Sequence, residues 1–115
     1  KAHRGDIIVF ERPPREQAAQ IKDLIKRVIG LPGDKVTARS GLVFVNDKEL
    51  PEPYLEPGTN TIMEGEVTVP EGHVFVMGDN RGSSRDSRFF GPIKQSTIVG
   101  HAYVRVWPPG RWGGI

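Results

Sequence analysis

One stretch of the chain concentrates side chains that can transfer protons or orient other groups. The polar loop, residues 78–88, contains three arginines, two aspartates and three serines. It follows the apolar run 74–77, which predicts a buried strand leading directly into it. Gly78 and Gly82 can take positive φ angles without a steric penalty, and the Asp, Asn and Ser side chains can hydrogen-bond to nearby backbone. This composition favours a rigid loop, although a solvated turn with paired charges has the same composition.

A second stretch contains a candidate general base. Lys26 lies between Leu24-Ile25 and Val28-Ile29, with Arg27 expected to be less enclosed. A lysine amine accepts a proton near neutral pH only if its pKa falls from about 10.4 to about 7 or 8. Burial among apolar groups lowers the pKa of an amine, but a lysine more often extends into solvent. The sequence alone leaves both interpretations open.

Composition predicts an all-β fold that positions these two stretches. Ten prolines and fourteen glycines among 115 residues favour short strands joined by turns. Asn46-Asp47 is predicted to be a hairpin turn, and residues 51–60 a surface loop. Residues 15–29 have helical spacing, so their structure is ambiguous. The other predicted strands are 6–10, 35–39, 42–45, 48–50, 61–63, 66–69, 74–77 and 98–106.

Charge and residue usage exclude several classes of site. The net charge is only +2 and basic residues alternate with acidic ones, so no nucleic-acid partner is predicted. The absence of cysteine excludes disulfides, thiolate metal sites and a cysteine nucleophile. His3, His73 and His101 lack metal-ligand spacing, so neither a metal nor another cofactor is predicted. The longest apolar run is far shorter than the roughly 20 residues of a membrane span.

Three motifs together resemble one family. RGDIIVF (residues 4–10), KRVIGLPGD (26–34) and GDNRGSSRDSR (78–88) resemble sequence boxes of the bacterial type I signal peptidases, or leader peptidases. These are membrane-bound serine proteases with a Ser/Lys dyad, and the likeness covers essentially all 115 residues. The resemblance implies coiled antiparallel sheets with short turns and little helix. It also implies that residues 22–29 form a strand lining the active site.

The family box with the nucleophilic serine, an SMxPT-like motif, is expected upstream of Lys1, as is the membrane anchor. Residues 1–115 are therefore interpreted as a single, incomplete catalytic domain that is inactive alone. By resemblance, Lys26 is the general base, and Ser84 orients its amine instead of attacking the substrate. Asp86 and Arg88 are expected to form a salt bridge. The resemblance assigns support of the site to Gly78, Asp79, Asn80, Arg81, Asp86 and Arg88.

The resemblance also predicts the substrate and the cellular location. Asp23, Leu24 and Ile25 are expected to pair with a preprotein signal peptide as an added strand, and to help form pockets for small residues before the cut. The family acts at the extracytoplasmic side of the cell membrane, and Trp107 and Trp112 are hypothesised to contact the bilayer. Two alternatives remain: a self-cleaving Ser/Lys protease of the same broad fold, and a truncated, non-catalytic binding module.

Overall fold

The computed structural model describes residues 2–13 and 23–102, and within them the chain is almost entirely β-structure. The helical segments of this part are the four-residue α1 (Ser87–Phe90) and a 3₁₀ turn (Gln95–Thr97). The prediction of an all-β fold with little helix is confirmed. The strands are β1 (Ile7–Glu11), β2 (Asp23–Gly30), β3 (Lys35–Arg39), β4 (Leu42–Val45), β5 (Lys48–Glu49), β6 (Glu66–Thr68), β7 (His73–Met77), β8 (Ile93–Lys94) and β9 (Ile98–Ala102).

The strands form two antiparallel sheets. The first sheet has the order β8-β7-β2-β1-β9, and the second has the order β5-β4-β3-β6. The turn after β2 connects the sheets, because β2 belongs to the first and β3 to the second. Asn46 and Asp47 both have positive φ, which suits the predicted two-residue hairpin turn between β4 and β5.

Strand β7 is apolar at every position from Val74 to Met77 because it is buried on both faces. Successive side chains of a strand point to opposite faces. Val74 and Val76 pack in one hydrophobic cluster with Phe10, whereas Phe75 and Met77 pack in a second cluster beneath the other sheet. The continuous apolar run therefore fills two cores, as expected for a strand covered on both sides.

Strand β2 divides its side chains between the same two faces. Val28 belongs to the first cluster and Ile29 to the second, so Lys26 projects on the side of Val28 and Arg27 on the side of Ile29. Residues 23–30 are extended despite their helical spacing, as the family resemblance predicts. Pairing with β1 on one side and with β7 on the other overrides the helix propensity of single residues.

The structure differs from the sequence predictions at two elements. Residues 61–63 do not form a strand, and the segment instead supplies single polar groups to neighbouring side chains. The short helix α1 was not predicted, and it follows Asp86, which caps it. Gly78 and Gly82 do not use the positive φ that glycine allows. Residues 15–22 of the ambiguous segment and residues 103–106 of the last predicted strand lie outside the described residues.

Candidate active site

The side chain of Lys26 is enclosed by the protein. The residue is only 5% exposed, and its Nζ donates a hydrogen bond of 3.0 Å to the Oγ of Ser84. Ser84 is itself buried and lies 58 positions further along the chain. The fold therefore brings together the two residues that the sequence analysis singled out. Such an amine and hydroxyl could exchange a proton with a group bound beside them.

The C-terminal part of the polar loop is held by Asp86 and Arg88. Their carboxylate and guanidinium form a two-pronged ion pair, with N–O distances of 2.9 and 2.8 Å. Asp86 is fully buried, and it also accepts hydrogen bonds from the backbone amides of Gly78 and Arg88. Arg88 in turn donates to the carbonyl of Ser84 at 3.5 Å. Asp86 thus connects the start of the loop to the segment that carries Ser84.

The N-terminal part of the loop is held by Asp79. Its carboxylate receives two hydrogen bonds from Arg27, at 3.0 and 2.8 Å. A third guanidinium nitrogen of Arg27 donates to the carbonyl of Gly5. Arg27 thus joins the first and third sequence motifs from a position next to Lys26. Its side chain is 13% exposed, and Arg27 is less buried than Lys26, as the sequence analysis expected.

Asn80 and Arg81 shape the turn in different ways. The carbonyl of Asn80 accepts a hydrogen bond from the amide of Ser83, while the residue itself is exposed. The side chain of Arg81 is fully buried and pairs with Glu52 at 2.6 Å. Arg81 also donates to the carbonyl of Gly78 and to the hydroxyl of Thr61.

The sequence analysis missed two site residues in the loop 51–60. Besides Glu52, this loop contributes Tyr54, which is buried and stacks on the guanidinium of Arg27 at 3.9 Å. The hydroxyl of Tyr54 donates to Glu52 at 3.1 Å. Burial and the neighbouring Glu52 carboxylate raise the pKa of Tyr54 above its usual value. The available signal was an aromatic and a carboxylate two positions apart in a proline-rich loop.

Residues 23–25 lie where β2 extends beyond β7. On one side, the whole of β1 pairs with residues Asp23 to Arg27 of β2. On the other side, the pairing with β7 starts at Arg27 and continues to Gly30. Leu24 and Ile25 are partly buried, and they precede Lys26 directly. This half of β2 could accept an added strand that ends beside the Lys26 amine.

Residues 2–13 and 23–102 lack two kinds of feature. They contain no group of three or more histidine, cysteine, aspartate or glutamate side chains arranged to hold a metal ion. This part of the chain also lacks a helix long and apolar enough to cross a membrane. Trp107 and Trp112 lie outside the described residues.

Comparison with known proteins identifies the family. The family described as "Signal peptidase, peptidase S26" matches residues 1–107. The chain is 42% identical over 118 residues to signal peptidase I of Bacillus caldolyticus, covering 91% of the chain and 62% of the relative. It is 47% identical over 116 residues to probable signal peptidase I-1 of Synechocystis sp., covering 96% and 58%. The chain thus spans roughly three-fifths of the length of these relatives.

A solved structure agrees with the sequence matches. The crystal structure of a signal peptidase I from Enterococcus faecalis is similar with a TM-score of 0.73 and 36% sequence identity. The likeness covers 89% of this chain and 97% of that one. The fold, the sequence identity and the match over residues 1–107 lead to one conclusion: the chain belongs to the S26 family of signal peptidases.

Proposed function

We propose that this chain is the catalytic portion of a serine endopeptidase that removes signal peptides from exported preproteins. Lys26 is the general base of this enzyme, and Ser84 orients the amine. The observation that carries the proposal is the contact of 3.0 Å between Lys26 Nζ and Ser84 Oγ in a buried environment. Membership of the S26 family adds the reaction class, since its named relatives are signal peptidases.

The proposed reaction is acyl transfer through a serine ester. The neutral amine of Lys26 takes the proton of the nucleophilic hydroxyl as its oxygen attacks the scissile carbonyl. The amine then gives this proton to the nitrogen of the leaving chain when the peptide bond breaks. A water molecule, deprotonated by the same amine, hydrolyses the ester and regenerates both groups. Burial of Lys26 favours this role because low polarity disfavours the charged form of an amine.

Ser84 is proposed as the orienting group and not as the nucleophile. Its hydroxyl accepts a hydrogen bond from the amine, and Arg88 holds its backbone carbonyl. A third group that fixes the direction of the base is a common part of nucleophilic sites. The nucleophile is a serine outside residues 1–115. The relatives are longer than this chain, and such a serine could belong to the part of them that it does not match.

The proposed substrate binds as a strand next to residues 23–25. This segment extends beyond the pairing with β7, so its backbone can hydrogen-bond to an extended peptide. Leu24 and Ile25 would form part of shallow apolar pockets, which suit the small residues found before the cut in signal peptides. Since exported preproteins carry these peptides, the catalytic domain would act at the extracytoplasmic face of the cell membrane.

Substitutions at Lys26 and Ser84 in the full-length protein test these roles. Lys26→Ala should lower kcat on a signal-peptide substrate by about 100- to 10,000-fold, the usual contribution of a general base. Lys26→Arg should be equally impaired, because a guanidinium keeps its proton. Ser84→Ala should retain clearly more activity than either variant. An acyl-enzyme trapped on Ser84 would contradict the assignment, and Glu56→Gln is a control at an exposed position of the loop 51–60.

Titration of the Lys26 amine by NMR separates this proposal from a non-catalytic module. A general base requires that the amine is neutral in part of the population near the working pH, whereas a binding module has no such requirement. We expect the titration midpoint of Lys26 to coincide with the acidic limb of the pH profile of kcat/KM. An amine that stays charged throughout the active pH range would overturn the proposed role of Lys26.

A further inference from the structure

The loop 51–60 directs two side chains inward, although proline and exposed residues dominate it. The Glu52 side chain is 8% exposed, and Tyr54 is buried. By contrast, Glu56 in the same loop is exposed. Glu52 contacts Arg81 of the polar loop, and Tyr54 contacts Arg27, which is next to Lys26 in the second motif.

Glu52 acts on the polar loop through Arg81. Its carboxylate accepts two hydrogen bonds from the fully buried guanidinium, at 2.6 and 3.3 Å. The same guanidinium donates through Nε to the carbonyl of Gly78 at 2.7 Å. The amide of Gly78 is bound to Asp86. The amide and the carbonyl of Gly78 are therefore both hydrogen-bonded. The carbonyl is bound by the Arg81 guanidinium, whose countercharge is the Glu52 carboxylate.

Tyr54 acts on β2 through Arg27. The ring lies 3.9 Å from the guanidinium carbon of Arg27, within the range of a favourable cation–π contact. Arg27 is adjacent to Lys26 and pairs with Asp79 of the polar loop. The hydroxyl of Tyr54 donates to the carboxylate that binds Arg81. The four residues Glu52, Tyr54, Arg27 and Arg81 thus form one connected unit, here called the loop brace.

We propose that Glu52 and Tyr54 are positioning residues for the reaction, fixing the polar loop against β2 so that Ser84 meets the Lys26 amine. The inference rests on the proposed function of Lys26. Arg27 and Arg81 emerge from the two segments that carry Lys26 and Ser84, and the brace is their common connection to the loop 51–60. If the brace loosens, the contact between amine and hydroxyl lengthens and water reaches the amine. Water stabilises the charged form of an amine, so the base would then need a higher pH to act.

The test uses Glu52→Gln and Tyr54→Phe in the full-length protein. Glu52→Gln keeps the size of the side chain but leaves the buried Arg81 without a countercharge, whereas Tyr54→Phe keeps the ring and removes only the hydroxyl. We expect Glu52→Gln to lower kcat by about 10- to 100-fold, as for misplaced catalytic groups, with little change in KM. The acidic limb of its kcat/KM profile should move to higher pH. Tyr54→Phe should show the same changes to a smaller extent.

Two control variants separate positioning from general stability. Glu56→Gln makes the same chemical change at an exposed position of the same loop, and it should leave both kcat and the pH profile unchanged. Val43→Ala removes buried methyl groups from the core under the second sheet, so it lowers stability without contacting the brace. Val43→Ala should leave the acidic limb of the kcat/KM profile unchanged. A wild-type pH profile for folded Glu52→Gln, or a shifted profile for Val43→Ala, would overturn the inference.

The result also distinguishes this inference from the proposed function. If Lys26→Ala abolishes turnover and Glu52→Gln does not alter kcat or the pH profile, Lys26 keeps its role and the brace is merely structural. If Lys26→Ala remains active, the role of Lys26 itself fails. NMR titration of the Lys26 amine in Glu52→Gln provides a second readout, and its midpoint should rise together with the acidic limb.

Discussion

At the scale of single residues, the site depends on charges that are buried and paired. The shortest N–O distances of the Arg27–Asp79, Arg81–Glu52 and Arg88–Asp86 pairs are 2.6 to 2.8 Å. Each pair joins the polar loop to a neighbouring segment or to itself. A buried pair contributes little net stability, but removal of one partner leaves an uncompensated charge inside the protein. The pairs therefore make the loop geometry intolerant of substitution.

Asp86→Asn should destabilise the fold strongly. It leaves the guanidinium of Arg88 without a countercharge and replaces an acceptor oxygen with an amide donor. Loss of one partner of a buried pair costs about 3 to 5 kcal/mol. Urea unfolding followed by circular dichroism measures this change as a lower midpoint. Asp47→Asn is the matched control, because the Arg39–Asp47 pair is exposed, and it should change the stability by less than about 1 kcal/mol.

At the scale of elements, the close approach of the two sheets at the end of β2 requires a residue without a side chain. The register between β2 and β7 shifts between Val28 and Gly30, where β2 turns toward the second sheet. A Cβ atom at Gly30 would lie 2.7 Å from a methyl group of Val36 and 3.1 Å from one of Val69. Both neighbours are β-branched and fully packed, so neither can move without cost. Gly30 thus permits the strand that carries Lys26 to continue into the second core.

Gly30→Ala should lower the free energy of unfolding by about 1 to 3 kcal/mol, the usual cost of overpacking a core. Thermal or urea unfolding measures this loss of stability. Gly100→Ala in β9 is the matched control, since a Cβ atom there meets no atom within 4 Å. The control should leave the stability within about 0.5 kcal/mol of the wild type. Equal stability of the two variants would show that the sheets can separate at Gly30 without cost.

At the scale of the whole molecule, Asp34 links its own turn to two distant segments. Its carboxylate accepts hydrogen bonds from Arg4 in the first motif, from the amide of Leu31 and from Asn46 in the β4–β5 turn. Burial by itself would raise the pKa of Asp34, but these hydrogen bonds together outweigh burial and lower the pKa. The carboxylate therefore connects the first sheet, the turn after β2 and the second sheet in its charged form.

Acid should weaken this connection. Because the folded state has the lower pKa, Asp34 contributes stability above the unfolded value of about 3.9, and the contribution is lost as the pH falls through the folded value. Asp34→Asn should be less stable than the wild type at neutral pH, and the difference should shrink below about pH 4. Urea unfolding at several pH values measures this difference in stability. For Val43→Ala, which removes no titrating group, the difference from the wild type should not shrink in this window.

The sequence predicted the site motifs better than the elements between them. Residues 26–34 and 78–88 were identified from residue type and order, and the fold brings Lys26 and Ser84 into contact. Residues 61–63 were wrongly predicted as a strand, because alternation over three residues is too short to specify pairing. The helix α1 is equally short, and it depends on the Asp86 cap more than on the propensity of its four residues.

By itself, the sequence determined the all-β class and the order of the three motifs, and the family resemblance of these motifs singled out Lys26 and Ser84. Only the tertiary structure decided what supports them. Glu52 and Tyr54 belong to a proline-rich loop whose composition is typical of solvent-exposed segments, and Arg27 has the same charge as many surface residues. Their roles depend on which arginine each one contacts across the fold. Such contacts join residues more than 20 positions apart, and no local pattern encodes them.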